Sequence, residues 1–462
     1  MSAPGSNPTT SLSTRQLRAV FSPLEERLSE WARIRPGEGP DRQPVHTVYG
    51  GADLFSADLA RKLGDVALRT LRTYAPDPST FADTVGLPQA LADTIYARVV
   101  EKLEREPVED FRIDFEDGYG ERSDEEEDRA AVESAAEVAR GLEAGTLPPF
   151  VGIRIKPLNA RHLARGVRTL DIFMTTLVGE TAGRIPSGFV VTLPKVVLVD
   201  QVTALVDLFE TLEAKLAISE GSLRLELMIE TPQSLIGPDG RVALPGLVDA
   251  AQGRCAAAHF GVYDHTASLQ ITAAHQTLDH PACDFARHLM QAALNGTGVW
   301  LSDGATNVLP APPHRAHEGA SLTTGQEREN RDAVHKGWRL HADHVRHSLR
   351  HAFYQGWDLH PAQLPTRYAT LYGFFLDGLD EMAGRLRHFV ERAARATLSG
   401  DVFDDAATGQ ALLNHFLRGM NCGAITEEEA LSTGLTLAEL RSRSFGQILA
   451  GRSAPGDAQL PR

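Results

Sequence analysis

The amino-acid sequence predicts an α/β protein built on a (β/α)8 barrel, or TIM barrel, with an N-terminal helical lead and a C-terminal helical extension. Eight short apolar runs rich in β-branched residues recur along the chain, and helix-length segments separate them. This alternation predicts crossover connections and a parallel sheet. Eight repeats of the unit favour a sheet that closes into a barrel. The length of 462 residues accommodates a barrel of about 250 residues and both extensions.

The predicted elements follow in a regular order. An amphipathic helix at Thr14–Ala32 precedes a Pro/Gly-rich linker at Arg35–Gln43. The strands are predicted at Val45–Tyr49, Phe111–Phe115, Val151–Ile155, Phe189–Leu193, Leu223–Ile229, Ala256–Val262, Gly298–Leu301 and Trp357–Leu359. Helices are predicted at Ser56–Tyr74, Glu125–Glu143, Asp200–Ala217 and Cys283–Leu294. We therefore expect a lead over residues 1–43, a barrel over 44–368 and a helical extension over 369–462.

Two segments interrupt the rhythm. Pro310–Asn330 is long and polar and follows the seventh strand, where a barrel carries functional loops, so it is either a lid or a surface excursion. Beyond Pro365 the chain is predicted to be helical, most clearly at Tyr368–Leu398 and Gly409–Leu417. A doubly wound open sheet is the competing fold, but the GxGxxG and GxxxxGK[ST] phosphate motifs are missing from the sequence. The barrel is therefore the better prediction.

Composition restricts the partners. The formal net charge of −15 disfavours binding to nucleic acid or to an anionic membrane surface. Three cysteines that are far apart indicate neither a disulfide framework nor a zinc ribbon. The N-terminal segment lacks the pattern of a secretory signal, and no apolar run is long enough to span a membrane. These features predict a cytoplasmic protein.

Charged residues concentrate where the predicted strands end, which is where barrel enzymes place their chemistry. The alternation of side chains along a strand puts Asp114 and Glu116 on one face of the second strand, where they repel unless a cation, water or donor lies between them. Arg154 and Lys156 share one face of the third strand. An inward Arg154 suits a carboxylate or an enolate, although it could instead be an internal partner of Asp114 or Glu116.

The next strand ends supply further candidates. Glu230 and Asp264 follow the fifth and sixth strands, and two carboxylates at neighbouring strand ends suit Mg²⁺ or Mn²⁺ with positions left for water and substrate. Lys195 follows the fourth strand and could act as a Schiff-base nucleophile if it were desolvated. His360 follows the eighth strand and is either a general base or only a hydrogen-bonded end to the barrel.

These strand ends form a pattern that resembles the citrate lyase β-subunit/HpcH–HpaI aldolase family of the phosphoenolpyruvate/pyruvate-binding barrel superfamily, with malate synthase as a more distant relative. The resemblance covers about Val45 to Tyr368 and is carried by the motifs RIDFEDGYG, GIRIKPLN, VVTLPKV, LMIETPQSL, FGVYDHTASL and DLHPAQL, in that order. It implies a metal site at Glu230 and Asp264 and substrate binding by Arg154. The acids of the first motif, Asp114, Glu116 and Asp117, would hold metal-bound waters or complete the pocket. Lys156-Pro157 and Tyr263-Asp264-His265 depart from the usual family motifs and indicate a divergent member.

The resemblance and the strand-end residues together predict a divalent-metal-dependent carbon–carbon lyase of the aldolase type. Such an enzyme would act through the enolate of a 2-oxo acid such as pyruvate or oxaloacetate, with Arg154 neutralising the developing oxyanion. Glu116, Asp117 and His360 are candidates for the chemistry, and Lys195 and Asp114 for substrate binding. His265, a metal-bound water or a residue of Pro310–Asn330 could also move the proton.

Two alternatives remain open at this point. One is an acyl-CoA lyase or a Claisen-type synthase, with Arg161, Arg165 and Arg168 as possible contacts for the phosphates of a CoA thioester. The other is a catalytically silent barrel that binds a small acid. Relatives of this kind are commonly oligomeric, so we expect a homo-oligomer.

A histidine-rich stretch suggests a second, transition-metal site. It comprises His335, His341, His344, His347 and His351, and helical spacing places the last three near one face. Because arginines are interspersed among them, a solvated or interface helix is the competing interpretation.

Overall fold

The strands close into a parallel barrel in a computed structural model that describes residues 11–453 except 38, 40, 317–320, 392–396, 400–401 and 405. Each strand pairs with the next in sequence, and the eighth pairs with the first, so the predicted closed barrel is confirmed. The strands are β1 (His46–Gly51), β2 (Asp110–Asp114), β3 (Phe150–Arg154), β4 (Val190–Leu193), β5 (Arg224–Ile229), β6 (Cys255–Phe260), β7 (Trp300–Ala305) and β8 (Gln355–Asp358).

Helices surround the barrel and continue after it. Those before β8 are α1 (Thr14–Ile34), α2 (Leu59–Tyr74), α3 (Pro78–Val85), α4 (Ala92–Arg105), α5 (Asp124–Ala144), α6 (Leu163–Glu180), α7 (Val199–Leu216), α8 (Pro232–Leu235), α9 (Leu244–Ala250), α10 (Val262–Ser268), α11 (Pro281–Leu294) and α12 (Thr324–Arg350). Those after β8 are α13 (Leu364–Leu376), α14 (Leu379–Glu391), α15 (Ala406–Asn421), α16 (Glu427–Leu431), α17 (Leu437–Arg441) and α18 (Phe445–Ser453). Among the described residues, no helix is both long enough and apolar enough to cross a bilayer.

The alternation of side chains along the strands explains why the barrel closes as it does. Ile113 and Ile153 are fully buried and belong to the hydrophobic core that the helices cover. The polar residues that alternate with these isoleucines lie next to one another on the other face of the strands. The register pairs Asp114 with Arg154, and Arg154 with Thr192. Side chains of opposite character thus follow opposite faces of the same strands.

Two of the predicted segments are corrected by the structure. Helix α12 begins at Thr324, so the end of the predicted loop Pro310–Asn330 is helical. The local reason is a capping box, in which the Thr323 hydroxyl accepts from the backbone N–H of Gln326 and the Gln326 side chain accepts from that of Thr323. The part of the loop around His314 is tied to the helix, because His314 pairs with Glu329 at 2.5 Å; residues 317–320 lie outside the described residues.

The C-terminal extension is less uniformly helical than predicted. The predicted helix Tyr368–Leu398 is divided between α13 and α14 as far as Glu391, because Gly378 adopts a left-handed conformation with φ of 71°. Residues 392–396 of this prediction lie outside the described residues. Two short antiparallel strands, β9 (Thr397–Ser399) and β10 (Val402–Asp404), follow, and the sequence did not predict them.

Candidate active site

The carboxyl ends of β2 to β6 bring a group of charged side chains together at the mouth of the barrel. At its centre the ammonium of Lys195 lies 2.5 Å from Glu116, 3.3 Å from Asp117 and 3.6 Å from Asp264. Glu230 joins the group through the backbone, since the N–H of Lys195 donates to its Oε1 at 2.7 Å. We call Glu116, Asp117, Glu230 and Asp264 the mouth carboxylates. Five of the residues selected from the sequence therefore meet at one place.

Lys195 is unusual in both its backbone conformation and its surroundings. Lys195 has a φ of 51°, a left-handed conformation that is uncommon for a residue with a side chain. Although burial by itself lowers the pKa of Lys195, the carboxylates of Glu230 and Glu116 raise it overall. The side chain is therefore an ammonium, and the geometry does not support the Schiff-base nucleophile considered from the sequence, which requires a depressed pKa.

Arg154 is held rigidly beside this group. Its Nε and Nη2 donate to the two oxygens of Asp114 at 2.7 and 2.5 Å, and its Nη1 lies 3.0 Å from Oε2 of Glu116. The guanidinium also lies over the rings of Tyr49 and Trp357, at 4.8 and 5.6 Å from their centroids. The internal ion pair with Asp114 that the sequence left open is thus present, and Nη1 is the nitrogen of Arg154 turned toward the mouth carboxylates.

Asp114 organises the loop that carries Glu116 and Asp117. Besides binding Arg154, its carboxylate accepts from the backbone N–H of Glu116 at 3.0 Å and of Gly118 at 2.7 Å. Glycine is required at position 118, because a Cβ there would lie 2.5 Å from Oδ2 of Asp114. Lys156 fixes the same loop by donating to the carbonyl of Phe115 at 2.8 Å. Asp114 and Lys156 therefore position the loop.

The mouth carries more negative charge than its cations neutralise. Burial raises the pKa of Glu230 to about 8; Lys195 opposes this rise, and Asp264 and Glu116 add to it. Burial also raises the pKa of Glu116, against the opposing charges of Arg154 and Lys195. A carboxyl with a pKa near 8 is mostly protonated at neutral pH unless another cation approaches it. The mouth can therefore hold a proton or a metal ion.

The donor set of the mouth fits Mg²⁺ or Mn²⁺. Both ions prefer carboxylate oxygens and water, and four carboxylates face one lysine here. Within the described part of the chain, however, these carboxylates do not form a group of three whose ligand atoms all lie within 4.8 Å of one another. Gly261 lies against Glu230, since a Cβ at that position would be 2.6 Å from the Cβ of Glu230.

Below the mouth lies a polar layer that the sequence analysis did not assign. Arg112 donates to Glu226 at 3.0 Å and also pairs with Asp110, and Tyr49 donates to Glu226 at 3.2 Å. Although burial by itself raises the pKa of Glu226, Arg112 and His259 lower it well below its ordinary value. The alternation that selected Asp114 also places Arg112 on the inner face, so the same signal could have identified this layer.

Two selected histidines contact groups other than the mouth carboxylates. The Nδ1 of His360 accepts from the backbone N–H of Ala362 at 3.1 Å, and burial lowers the pKa of His360. In the residues that the structure describes, His360 forms no ion pair with a mouth carboxylate. His265 is buried against the ring of Phe260, at 5.3 Å between centroids. Neither histidine is thus tied to the charged group by the contacts of its ring.

The arginines considered for CoA phosphates have acidic partners. Arg165 and Arg168 both pair with Asp128 of α5, and Arg161 lies 3.6 Å from Glu121. The contacts of Arg165 and Arg168 join α6 to α5, and that of Arg161 joins the segment before α6 to the loop before α5. The acidic partners therefore give these arginines a structural role.

A family described as "Domain of unknown function (DUF6986)" matches residues 24–448. No curated protein matches the sequence significantly. A citrate lyase from Burkholderia xenovorans LB400 has a similar structure, with a TM-score of 0.53 and 16% identity over 85% of this chain and 97% of that chain. At this identity the likeness shows a shared fold.

Two further solved structures are more distant. The protein CitE from Mycobacterium tuberculosis, in complex with magnesium, acetoacetate and coenzyme A, is 15% identical over 83% of this chain and 100% of that chain, with a TM-score of 0.43. The pyruvate/acetyl-CoA ternary complex of Haloferax volcanii malate synthase is 15% identical over 88% of this chain and 97% of that chain, with a TM-score of 0.43.

Proposed function

This chain belongs to the DUF6986 family, and we propose that it is a divalent-metal-dependent carbon–carbon lyase of the aldolase type. It would act through the enolate of a 2-oxo acid such as pyruvate or oxaloacetate. The observation that carries the proposal is the group of four mouth carboxylates, placed around Lys195 beside the immobilised guanidinium of Arg154. A fold shared with a citrate lyase is consistent with it.

Glu230 and Asp264 are the residues that we propose to hold Mg²⁺ or Mn²⁺. They follow neighbouring strands, and burial raises the pKa of Glu230 to about 8, with the charges of Asp264 and Glu116 adding to the rise. A divalent ion would offset this rise by stabilising the carboxylate. When bound, the ion would polarise the carbonyl of a 2-oxo acid. Metal binding at neutral pH would then release the proton that Glu230 otherwise holds.

Arg154 and Lys195 provide the positive charge for the substrate. Asp114 binds two nitrogens of Arg154 and so restricts the side chain to one rotamer, in which Nη1 points toward the mouth carboxylates. A substrate carboxylate that displaces Oε2 of Glu116 from Nη1 would gain a charge-assisted hydrogen bond from a donor that is already held in position. Lys195, whose side chain is 31% exposed, can contact the same substrate from the solvent side.

Glu116 is the residue that we propose to move the proton. Burial raises its pKa above the ordinary value of a glutamate, which makes the carboxylate a stronger proton acceptor. Its Oε2 is buried and has no hydrogen-bond partner among the described residues. Asp117 would keep Lys195 in place. His360 stays a predicted base, but its Nδ1 is engaged by the backbone, so the contacts favour Glu116.

Hydrogen exchange tests this function without knowledge of the second substrate. Loss of the methyl or methylene proton signals of pyruvate, oxaloacetate and acetyl-CoA would be followed by NMR in D2O, with Mg²⁺ and with EDTA. We expect Mg²⁺-dependent exchange of the 2-oxo acids, and its loss in Glu230→Gln. Glu121→Gln is the matched control, because Glu121 is an exposed carboxylate that pairs with His162.

The other outcomes separate the competing functions. Exchange of acetyl-CoA alone would replace the proposal with an acyl-CoA lyase or a Claisen-type synthase. Exchange of no candidate by folded, metal-loaded protein would remove the enolate proposal for these acids and favour a barrel that binds a small acid without catalysis.

A further inference from the structure

Helices α11 and α12 place a second group of metal-ligating side chains on the helical layer outside the barrel. Nε2 of His347 lies 2.7 Å from Oδ1 of Asp284, and the rings of His347 and His351 are 4.4 Å apart. One ligand atom from each of these three residues lies within 4.8 Å of the others. His288 extends the group, since its ring centroid is 5.1 Å from that of His351.

The histidines of this stretch fall into two kinds. His341 hydrogen-bonds through both nitrogens to Thr366 and Asp358, and His344 through both to Thr306 and Thr277. Both are buried, and both ring nitrogens of each are already hydrogen-bonded. His344 therefore does not share a metal-binding face with His347 and His351, although the sequence suggested it. His347 and His351 instead face α11, and the side chains of His347 and Asp284 keep 26% and 27% of their exposure, which leaves a path for an ion.

His351 is already oriented as a ligand. Its Nδ1 lies 2.8 Å from the carbonyl oxygen of His347, and because a carbonyl only accepts, this nitrogen carries the hydrogen. Its Nε2 then has a free lone pair. A ligating histidine normally fixes its tautomer through such a bond from the other ring nitrogen. Gln291 holds the same residue from α11 by donating to the backbone carbonyl of His351.

Asp284 balances the charge of the group. Its Oδ1 also accepts from Nη1 of Arg287 at 2.6 Å, but Arg287 is itself paired with Asp303 through Nε at 2.9 Å. Two carboxylates therefore face this one guanidinium, which leaves negative charge for a cation beside the imidazoles. Asp284 and His288 are four residues apart on α11, as are His347 and His351 along α12 and its C-terminal cap. Each pair therefore lies on one face of its helix.

We propose that Asp284, His347 and His351 bind one transition-metal ion of the zinc class, with His288 as the fourth donor, and that this ion joins α11 to α12. Imidazole nitrogens together with one carboxylate suit Zn²⁺ and disfavour Mg²⁺, which takes oxygen ligands. Tetrahedral zinc requires ligand atoms about 3.3 Å apart, given bonds of about 2.0 Å. Side-chain rotations that move each ligand atom by about 1 Å would bring the ligand atoms from their present spacing to this one.

Zinc titration of metal-stripped, untagged, full-length protein tests the site. The free ion would be followed with a chromophoric chelator, and Co²⁺ would report tetrahedral coordination through its visible absorption. We expect one bound equivalent that persists in Glu230→Gln, because that variant alters only the barrel mouth. His347→Gln and His351→Gln should each weaken this binding by about 100-fold or more and abolish the Co²⁺ absorption.

His275→Gln is the matched control, since His275 is exposed and lies outside the group; it should bind zinc as the parent protein does. Circular dichroism establishes that each variant is folded. Zinc binding that is equal in His347→Gln and in the parent protein would overturn the proposal. So would zinc binding that disappears in Glu230→Gln, because the ion would then occupy the mouth.

Discussion

Replacing Glu230 with glutamine should stabilise the metal-free protein, and the gain should grow as the pH rises. Glu230 is 1% exposed, and burial raises its pKa to about 8 against an ordinary value of 4.5. Between these two values the unfolded chain releases a proton that the folded protein keeps. The free energy of unfolding therefore falls as the pH rises through this range, and it stops falling above pH 8.

The magnitude follows from the two pKa values. Their difference corresponds to about 5 kcal/mol at high pH, since one pH unit is worth about 1.4 kcal/mol. At pH 5 the unfolded state has released little of this proton, and the cost is about 1 kcal/mol; at pH 8 it is about 4 kcal/mol. Glutamine does not titrate. The stability difference between Glu230→Gln and the parent protein should therefore increase by about 3 to 4 kcal/mol from pH 5 to pH 8.

Urea unfolding followed by circular dichroism at pH 5, 6, 7 and 8, with EDTA present, measures this difference. Glu226→Gln is the control, because Glu226 lies on the same strand and is equally buried but has a lowered pKa. It should destabilise the protein by about 3 to 5 kcal/mol at every pH, since Arg112 loses a buried partner. A difference for Glu230→Gln that changes by less than about 1 kcal/mol over the range would refute the reasoning, because Glu230 would then be ionised in the folded protein.

Three further predictions concern the mouth and the N-terminal helix. Lys195→Met removes an ammonium that pairs with three carboxylates. The Mg²⁺ affinity measured by calorimetry should therefore rise about tenfold at pH 7, while the hydrogen exchange of pyruvate falls. Weaker Mg²⁺ binding would contradict the assignment of the metal site to the mouth carboxylates. Gly261→Ala places a Cβ 2.6 Å from that of Glu230, and we expect a loss of about 1 to 3 kcal/mol of stability together with weaker Mg²⁺ binding. The control Gly179→Ala, in open space within α6, should leave Mg²⁺ binding unchanged and raise the stability by up to about 1 kcal/mol, because alanine is the better helix former. Helix α1 exposes several large apolar side chains, among them Leu24, which is 49% exposed, and Leu28, which is 55% exposed. We propose that these side chains pack against a second copy of this chain. The double variant Leu24→Glu/Leu28→Glu should then have the mass of one chain by light scattering, and a monomeric parent protein would contradict this assembly.

The barrel was predictable because its signal is local and repeated. Each strand is a short apolar run whose alternation separates a core face from a polar face, as in the segment Phe111–Phe115. Helix ends were less predictable, since the start of α12 depends on the capping box at Thr323 and the break before α14 on Gly378. Helices α3 and α4 and the small sheet β9–β10 were not predicted, although α4 buries Ile95, Val99 and Leu103 at the spacing of one helical face.

The candidate site was predictable in its membership but not in its electrostatics. Parallel strands must end at the same edge of a barrel, so acids after β2, β5 and β6 had to approach one another. Sequence spacing could not show that Asp114 binds Arg154 through both oxygens, or that Lys195 contacts the acids and has a left-handed backbone. It also gave no reason to prefer Glu116 over His360 as the proton carrier.

The sequence by itself determined the order of the strands, the faces of their side chains and the concentration of acids at the strand ends, because these depend on neighbours in the chain. Tertiary structure decided which of those groups are buried, and a pKa such as that of Glu230 depends on burial and on charges from other strands. It also decided which histidines of α12 are hydrogen-bonded in the interior and which are available to a metal ion. His344 bonds to Thr306, whereas His347 contacts Asp284, which is 63 residues away in the chain. Contacts over such separations arise only when the helices pack around a closed barrel.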